Sequence, residues 1–335
     1  MRYKLYILPL LIGFGLFLCL YSLLNGSIES DFENLYNSIF NYNSDNTIHY
    51  VIINLRMPRL IMALATGCSL ALSGYLFQSL LNNPLADPYI LGTASGASLG
   101  ANLVFIGWIP AFILGIYTPP IAAFAIALLV TLVAILFAYK KGRLNAANLL
   151  LAGVALSSMM TAMISLMSYL SENDSQLRSI IFWIMGSFER SNWSQIPLIL
   201  SVNVIALIYF SLFNKSINVL LLGEEKSEAL GLNVKKMRWI ALIGATLLTS
   251  VTVAYCGAIG FVGFLIPHFV RGLFGFGHSW NLFYSAIIGA FFMVGCDILS
   301  KMIYPPAGLP LGILTSFLGI PFFLYLLMKS NYRFS

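Results

Sequence analysis

Long apolar runs separated by short polar turns recur along this chain. A transmembrane helix needs about 20 predominantly apolar residues, and the pattern predicts ten spans, near residues 5–24, 57–81, 89–107, 117–139, 146–170, 194–213, 239–257, 260–275, 282–301 and 310–328. The eighth is short and contains Pro267. The first follows Arg2 and Lys4 and outlasts the ~7–15 apolar residues of a signal peptide, with no small-residue cleavage pattern at Asn25-Gly26-Ser27, so it reads as a retained helix. The expected fold is all-α: a polytopic membrane protein, with residues 1–335 forming a single transmembrane domain of ten helices.

A charged amphipathic insert at 220–238 breaks the pattern. Three acids (Glu224, Glu225, Glu228) and four bases (Lys226, Lys235, Lys236, Arg238) stand beside Ala229, Leu230, Leu232 and Val234, with Gly223 and Gly231 as breakers. A short helix lying along the membrane surface fits this mixture. A plain solvated loop fits it as well.

Composition supports the membrane reading, since 59% of residues are hydrophobic and 9% charged, against about 25% charged in an average soluble domain. Mean hydropathy is +0.87. The net charge of +6 does not point to nucleic acid, because the bases are scattered among short loops rather than clustered on one face. They report topology instead. With ten spans, 13 of the 18 Lys and Arg residues fall on the side of the termini and the 220–238 insert, which the positive-inside rule makes cytoplasmic. Cys19, Cys68, Cys256 and Cys296 lie far apart in apolar segments and read as small packing residues, not as a disulfide or zinc framework.

Few residues can carry chemistry. No phosphate-binding Gly-x4-Gly-Lys-[Ser/Thr], His-Glu-x-x-His or Gly-x-Ser-x-Gly occurs, and His49, His268 and His278 have no ligand spacing. Asp297 is the one acid well inside a span, and Lys301 stands one helical turn away, so an ion pair is expected there rather than a proton relay. Arg56 and Arg59 open the second span against the helix dipole and against the positive-inside bias. Two readings stand for them: a docking patch for an acidic external partner, which Lys301 would extend, or headgroup anchors. Small residues at Gly92, Gly96 and Gly100 signal close helix packing. The turn Asn82–Pro88 and the Gly- and Pro-interrupted stretch Gly257–Arg271 are candidate walls or gates of a pathway, or simple kinks.

In order along the chain stand Arg56-Met-Pro-Arg59, Ser73-Gly-Tyr-Leu-Phe-Gln78, Asn83-Pro-Leu-Ala-Asp-Pro88 with Leu91-Gly-Thr-Ala-Ser-Gly-Ala97, Leu149-Leu-Leu-Ala-Gly-Val154 and Trp183-Ile-Met-Gly186. Leu222-Gly-Glu-Glu225, Leu230-Gly-Leu-Asn233, Gly260-Phe-Val-Gly-Phe-Leu-Ile-Pro-His268, Leu309-Pro-Leu-Gly312 and Gly319-Ile-Pro-Phe-Phe323 follow. Together they resemble the permease subunits of ABC importers that take up iron-siderophore complexes, haem or cobalamin.

The resemblance implies a permease in the bacterial cytoplasmic membrane, paired with a second copy or a close relative, powered by two ATPase subunits and fed by an external substrate-binding protein. It implies no cofactor bound by this chain and no catalysis by it, ATP and Mg²⁺ belonging to the partner. Leu222, Gly223, Glu224, Glu225, Glu228, Ala229, Leu230 and Gly231 match the segment that couples to the ATPase. Arg56, Arg59 and Lys301 match the docking positions, and Asn83, Pro84, Leu85, Asn145, Ala146 and Ala147 the cytoplasmic gate. Lysine at 301 keeps the charge but not the fork of an arginine. Alanine stands at 258 where the family usually has proline. The alternative from another class is a carrier or channel working alone, which the scarcity of buried charge disfavours.

Overall fold

The structure, a computed structural model, describes residues 3–26, 28–140, 143–171, 173–305 and 308–329. Arg2, Lys141 and Arg333, three of the 13 cations counted above on the cytoplasmic side, lie outside the described residues. The fold is helical apart from two two-residue strands, β1 (Tyr139–Lys140) and β2 (Arg143–Leu144), paired antiparallel. In chain order the helices are α1 (Tyr3–Leu24), α2 (Phe32–Phe40), α3 (Thr47–Tyr50), α4 (Met57–Leu81), α5 (Thr93–Phe105), α6 (Thr118–Ala138), α7 (Ala146–Tyr169) and α8 (Asp174–Met185). There follow α9 (Ile196–Leu212), α10 (Asn214–Leu220), α11 (Glu224–Ala229), α12 (Val234–Cys256), α13 (Val262–Phe274), α14 (Asn281–Ile303) and α15 (Leu311–Lys329).

Every predicted span carries a helix, but not every one is long. Among the described residues five helices have the length and apolarity to cross a membrane, and α9 with α10 makes a sixth if that pair, bent by 72°, is one span. Leu8–Leu24, Val262–Phe274 and Leu311–Tyr325 are shorter apolar helices. The third predicted span keeps only the 13 residues of α5, because Gly92 at φ 82 takes a left-handed conformation and breaks the chain ahead of it. The eighth is cut at its start, where Gly257 and Phe261 both have positive φ.

The 220–238 segment is not one helix. It is the end of α10, a turn, the six-residue α11, a loop, and the first turn of α12, which begins five residues before the predicted span. Asn233 starts α12 by accepting the Lys236 backbone N–H at 3.0 Å.

α4 is the spindle of the bundle. It continues α3 through a π-helical turn (Val51–Arg56), packs on α9, α12, α13 and α14, and is buried over most of its length. The backbones approach so closely that any side chain at Gly74 would strike the Gly263 carbonyl of α13. Polar residues of α4 fasten each neighbour: Ser69 donates to Asn203 of α9 at 3.0 Å, Ser73 to the Ala245 carbonyl of α12 at 2.8 Å, and Gln78 to the Phe264 carbonyl of α13 at 3.0 Å. In lipid, where hydrophobicity does not drive association, such bonds and close packing hold helices together.

Candidate functional site

At one end of the bundle α4 and α14 share a charge cluster. The buried Asp297 carboxylate accepts Arg59 Nε at 2.9 Å and lies 2.8 Å from a terminal guanidinium nitrogen, while Lys301 Nζ sits 2.7 Å from its other oxygen. The Lys301 pairing expected from helical spacing is present, and Arg59 joins it from 238 residues away in sequence. With both oxygens occupied by cations, the carboxylate is a clamp between two helices.

Arg56, the other arginine matched to the docking positions, is placed differently from Arg59. Its guanidinium turns inward and is 8% exposed. It donates to the Leu23 carbonyl at 2.7 Å, to the Leu24 carbonyl at 3.0 Å, to Ser30 Oγ at 2.9 Å, and also to the Ile28 carbonyl. The last carbonyls of α1 have no partner within their helix, and Arg56 supplies donors for them. Arg59 and Lys301 retain exposed edges; Arg56 spends its donors internally.

The opposite end of α4 holds the other predicted segments. Asn82 closes the helix in a left-handed conformation (φ 49), and Asn83 and Asp87 each fold back as local caps, accepting the Leu85 and Tyr89 N–H groups at 2.9 and 2.8 Å. Burial pushes the Asp87 carboxyl up to about 6, with the Tyr89 N–H bond pulling it back. Pro84 is buried, Leu85 half-buried and Asn83 exposed. Asn145 caps α7 through the Asn148 N–H at 3.0 Å, Ala147 is exposed, and the Ala146 side chain lies outside the described residues. The contact described between these two parts of the chain lies further along, where Gly153 of α7 meets the Ile90 carbonyl.

α11 is pinned at its base and exposed at its tip. Ser227, fully buried, donates to the Val219 and Gly223 carbonyls, and Arg238 pairs with Glu224 at 3.0 Å. Leu222 is 50% and Leu230 65% exposed, and Glu225, Glu228, Ala229 and Gly231 are exposed around them. The segment abuts the turn after α4: Asn82 Nδ2 lies 3.6 Å from where a Cβ on Gly223 would sit. Beneath it, Tyr75 of α4 donates its hydroxyl to Asn218 of α10 at 2.5 Å.

Arg271 is one of the 13 cations that the positive-inside count puts on the cytoplasmic side, and the structure buries it. It is 2% exposed at the end of α13, stacks over the Tyr75 ring at 4.5 Å, and donates to Gln78, to Ser79 Oγ at 3.2 Å and to the Tyr75 carbonyl at 3.3 Å. A continuous polar chain therefore runs α10–α4–α13. An arginine inside an otherwise apolar stretch was the available sequence signal.

The stretch Gly257–Arg271 and Tyr89, the residue after the Asn82–Pro88 turn, border one cavity of about 520 Å³, lined also by Ile184, Met185 and residues of α15. Tyr89 accepts the Ile259 N–H at 3.2 Å, tying the two breaks together. α7 and α15 leave large apolar side chains outside the bundle, among them Leu151, Leu166, Phe317 and Leu324.

The FecCD transport family matches residues 14–329. The chain belongs to the FecCD transport family. It is 34% identical to the hemin transport system permease protein HmuU of Yersinia pestis, over 96% of each chain. It is 38% identical to a protein of Methanocaldococcus jannaschii assigned as an ABC transporter permease, covering 99% of this chain and 98% of the other. A solved structure assigned to a metal-chelate type ABC transporter, in an inward-facing conformation, superposes with TM-score 0.83 at 30% identity, covering 98% of this chain and 100% of that one. This FecCD chain is a permease of the ABC-importer type, a transport component of the membrane.

Proposed function

We propose that this FecCD permease is the membrane half of an ATP-driven importer in a bacterial inner membrane, carrying an iron-siderophore complex, with haem or cobalamin as the next candidates. Relatives that handle hemin and metal chelates support that class of cargo. The chain crosses the membrane ten times with both termini in the cytoplasm. Two copies meet through the outward apolar faces of α7 and α15, and the cavity beside α8 and α15 becomes part of the pathway between them.

The observation that carries this reading is α11: an exposed apolar tip on a base locked by Ser227, directly beside the turn that ends α4. A cytoplasmic ATPase, which binds ATP and Mg²⁺, seats on Leu222, Leu230 and their neighbours. Closure of two ATPases moves α11 and α10, and the Asn218–Tyr75 bond passes that movement to α4, shifting the population between inward- and outward-open states. An external binding protein docks at the Arg59–Lys301 end.

Native mass spectrometry of the gently extracted complex tests this. A two-plus-two assembly with an ATPase is expected, and Leu230→Glu should release the ATPase while leaving the permease dimer. A dimer without any ATPase in the unaltered protein would instead indicate a carrier working alone.

A further inference from the structure

α6 and α9 both pack on α12, and between them lies an apolar groove of about 590 Å³. Its floor is α12 from Ile240 to Tyr255, its walls include Phe124 of α6 and Val202 of α9, and only Tyr209 and Tyr255 bring a polar side-chain group to the lining. The 15 steps from Ile240 to Tyr255 span roughly 22 Å at 1.5 Å per residue, more than half of the ~30 Å hydrocarbon core. α6 and α12 have the length and apolarity to cross a membrane, and α9 has them together with α10, so the groove lies at hydrocarbon depth.

One end of this groove is rimmed by lysine. Lys236 is exposed one helical turn before Ile240, on the face that continues through Gly244 and Leu247. Lys235 lies 5.8 Å from the centre of the Tyr139 ring, where α6 ends, and Lys215 is exposed just beyond the end of α9. Two of these lysines thus stand on α12 itself, Lys235 beside the end of α6, and the third stands on α10 just after α9. The Tyr139 and Trp239 rings, 6.1 Å apart, lie at this level, as aromatic residues do at a membrane interface. A second copy seated on the same groove would bring lysine against lysine, whereas a phosphate headgroup neutralises them.

We propose that the groove holds one acyl chain of an anionic phospholipid, with its phosphate at Lys215, Lys235 and Lys236. This depends on the membrane placement of the chain but not on its cargo. Leu247, 38% exposed on the floor, is the position from which a larger side chain fills the groove without displacing the core.

The test is native mass spectrometry of the permease from nanodiscs of equal phosphatidylglycerol and phosphatidylethanolamine, with annular lipid stripped by activation. One phosphatidylglycerol per chain should be retained, preferred by at least about tenfold given ~1 kcal/mol per lysine near an anionic lipid. Leu247→Trp should abolish retention, and Lys236→Gln should reduce the preference. Equal retention of the two lipids, or retention unaffected by Leu247→Trp, overturns the proposal; disulfide-linked dimers of a Leu247→Cys chain would assign the groove to a second copy instead. Should Leu247→Trp fail to insert, spin-labelled phosphatidylglycerol on the unaltered protein decides: a motionally restricted component without selectivity for the anionic lipid is the overturning result. ATPase association, read in the same spectra, separates failure of this site from failure of the importer reading.

Discussion

Arg59 is locked to Asp297, its Nε 2.9 Å from a carboxylate that lies 1% exposed between α4 and α14. Because Lys301 takes the other oxygen, removing the carboxylate strands two cations together in a partly closed site. Breaking a buried pair by deleting one partner costs about 3 kcal/mol or more, so Asp297→Asn should lower the thermal unfolding midpoint of the detergent-solubilised protein sharply. Arg59→Gln leaves Lys301 on the carboxylate and should cost less, about 2 kcal/mol, the value of a hydrogen bond to a charged group. Equal effects of the two substitutions would sink the clamp reading.

Arg56 offers a second contrast at the same end. Its donors satisfy carbonyls at the end of α1 and beyond, so Arg56→Gln should cost stability, about 2 kcal/mol for the charged hydrogen bonds lost, without altering the affinity of the folded protein for its external binding protein. Titration of a purified binding protein against the variant checks this. A large affinity loss in a fully folded variant would return Arg56 to the docking surface.

The helices were legible in the sequence because apolar runs set them, and α4 and α14 match their predicted spans closely. Asp297 and Lys301 could be paired because i,i+4 spacing is local. Arg59 could not be added to them, since it comes from 238 residues away in sequence, and neither periodicity nor charge counting carries such a contact. The burial of Arg271 was not legible for a related reason. The positive-inside rule counts cations near span ends and does not separate one in the loop from one folded back against Tyr75. Residues 220–238 were read as one unit because the charges run on, whereas the breaks at Gly223 and Gly231, both at positive φ, divide them among three helices.

Movement of α11 reaches α4 through the hydroxyl of Tyr75 if the 2.5 Å bond to Asn218 is the link. Tyr75→Phe keeps the ring under Arg271 and deletes the bond to Asn218, so stability should fall by about 1 kcal/mol while transport falls more than ATP hydrolysis. The ratio of cargo moved to ATP hydrolysed, in proteoliposomes containing the full complex, measures this. An unchanged ratio would place the coupling elsewhere, along the Gly223–Asn82 contact.

Asp87 gives the fold a pH dependence of predictable sign. Burial raises its carboxyl to about 6 in the folded protein, above the ordinary value of 3.8. The folded state therefore binds more protons than the unfolded chain between these values, and stability declines as pH rises through that window. The contribution is fully present below about pH 4 and lost once the pH passes about 6. Asp87→Asn retains an acceptor for the Tyr89 N–H but cannot ionise. The unfolding midpoint of the native protein, measured from pH 4 to 7 at roughly constant ionic strength, should fall relative to that of the variant as pH increases. Parallel curves for the two proteins would mean that the Asp87 carboxylate is as well solvated in the folded chain as in water, and that the turn after α4 is open where the structure shows it half-closed.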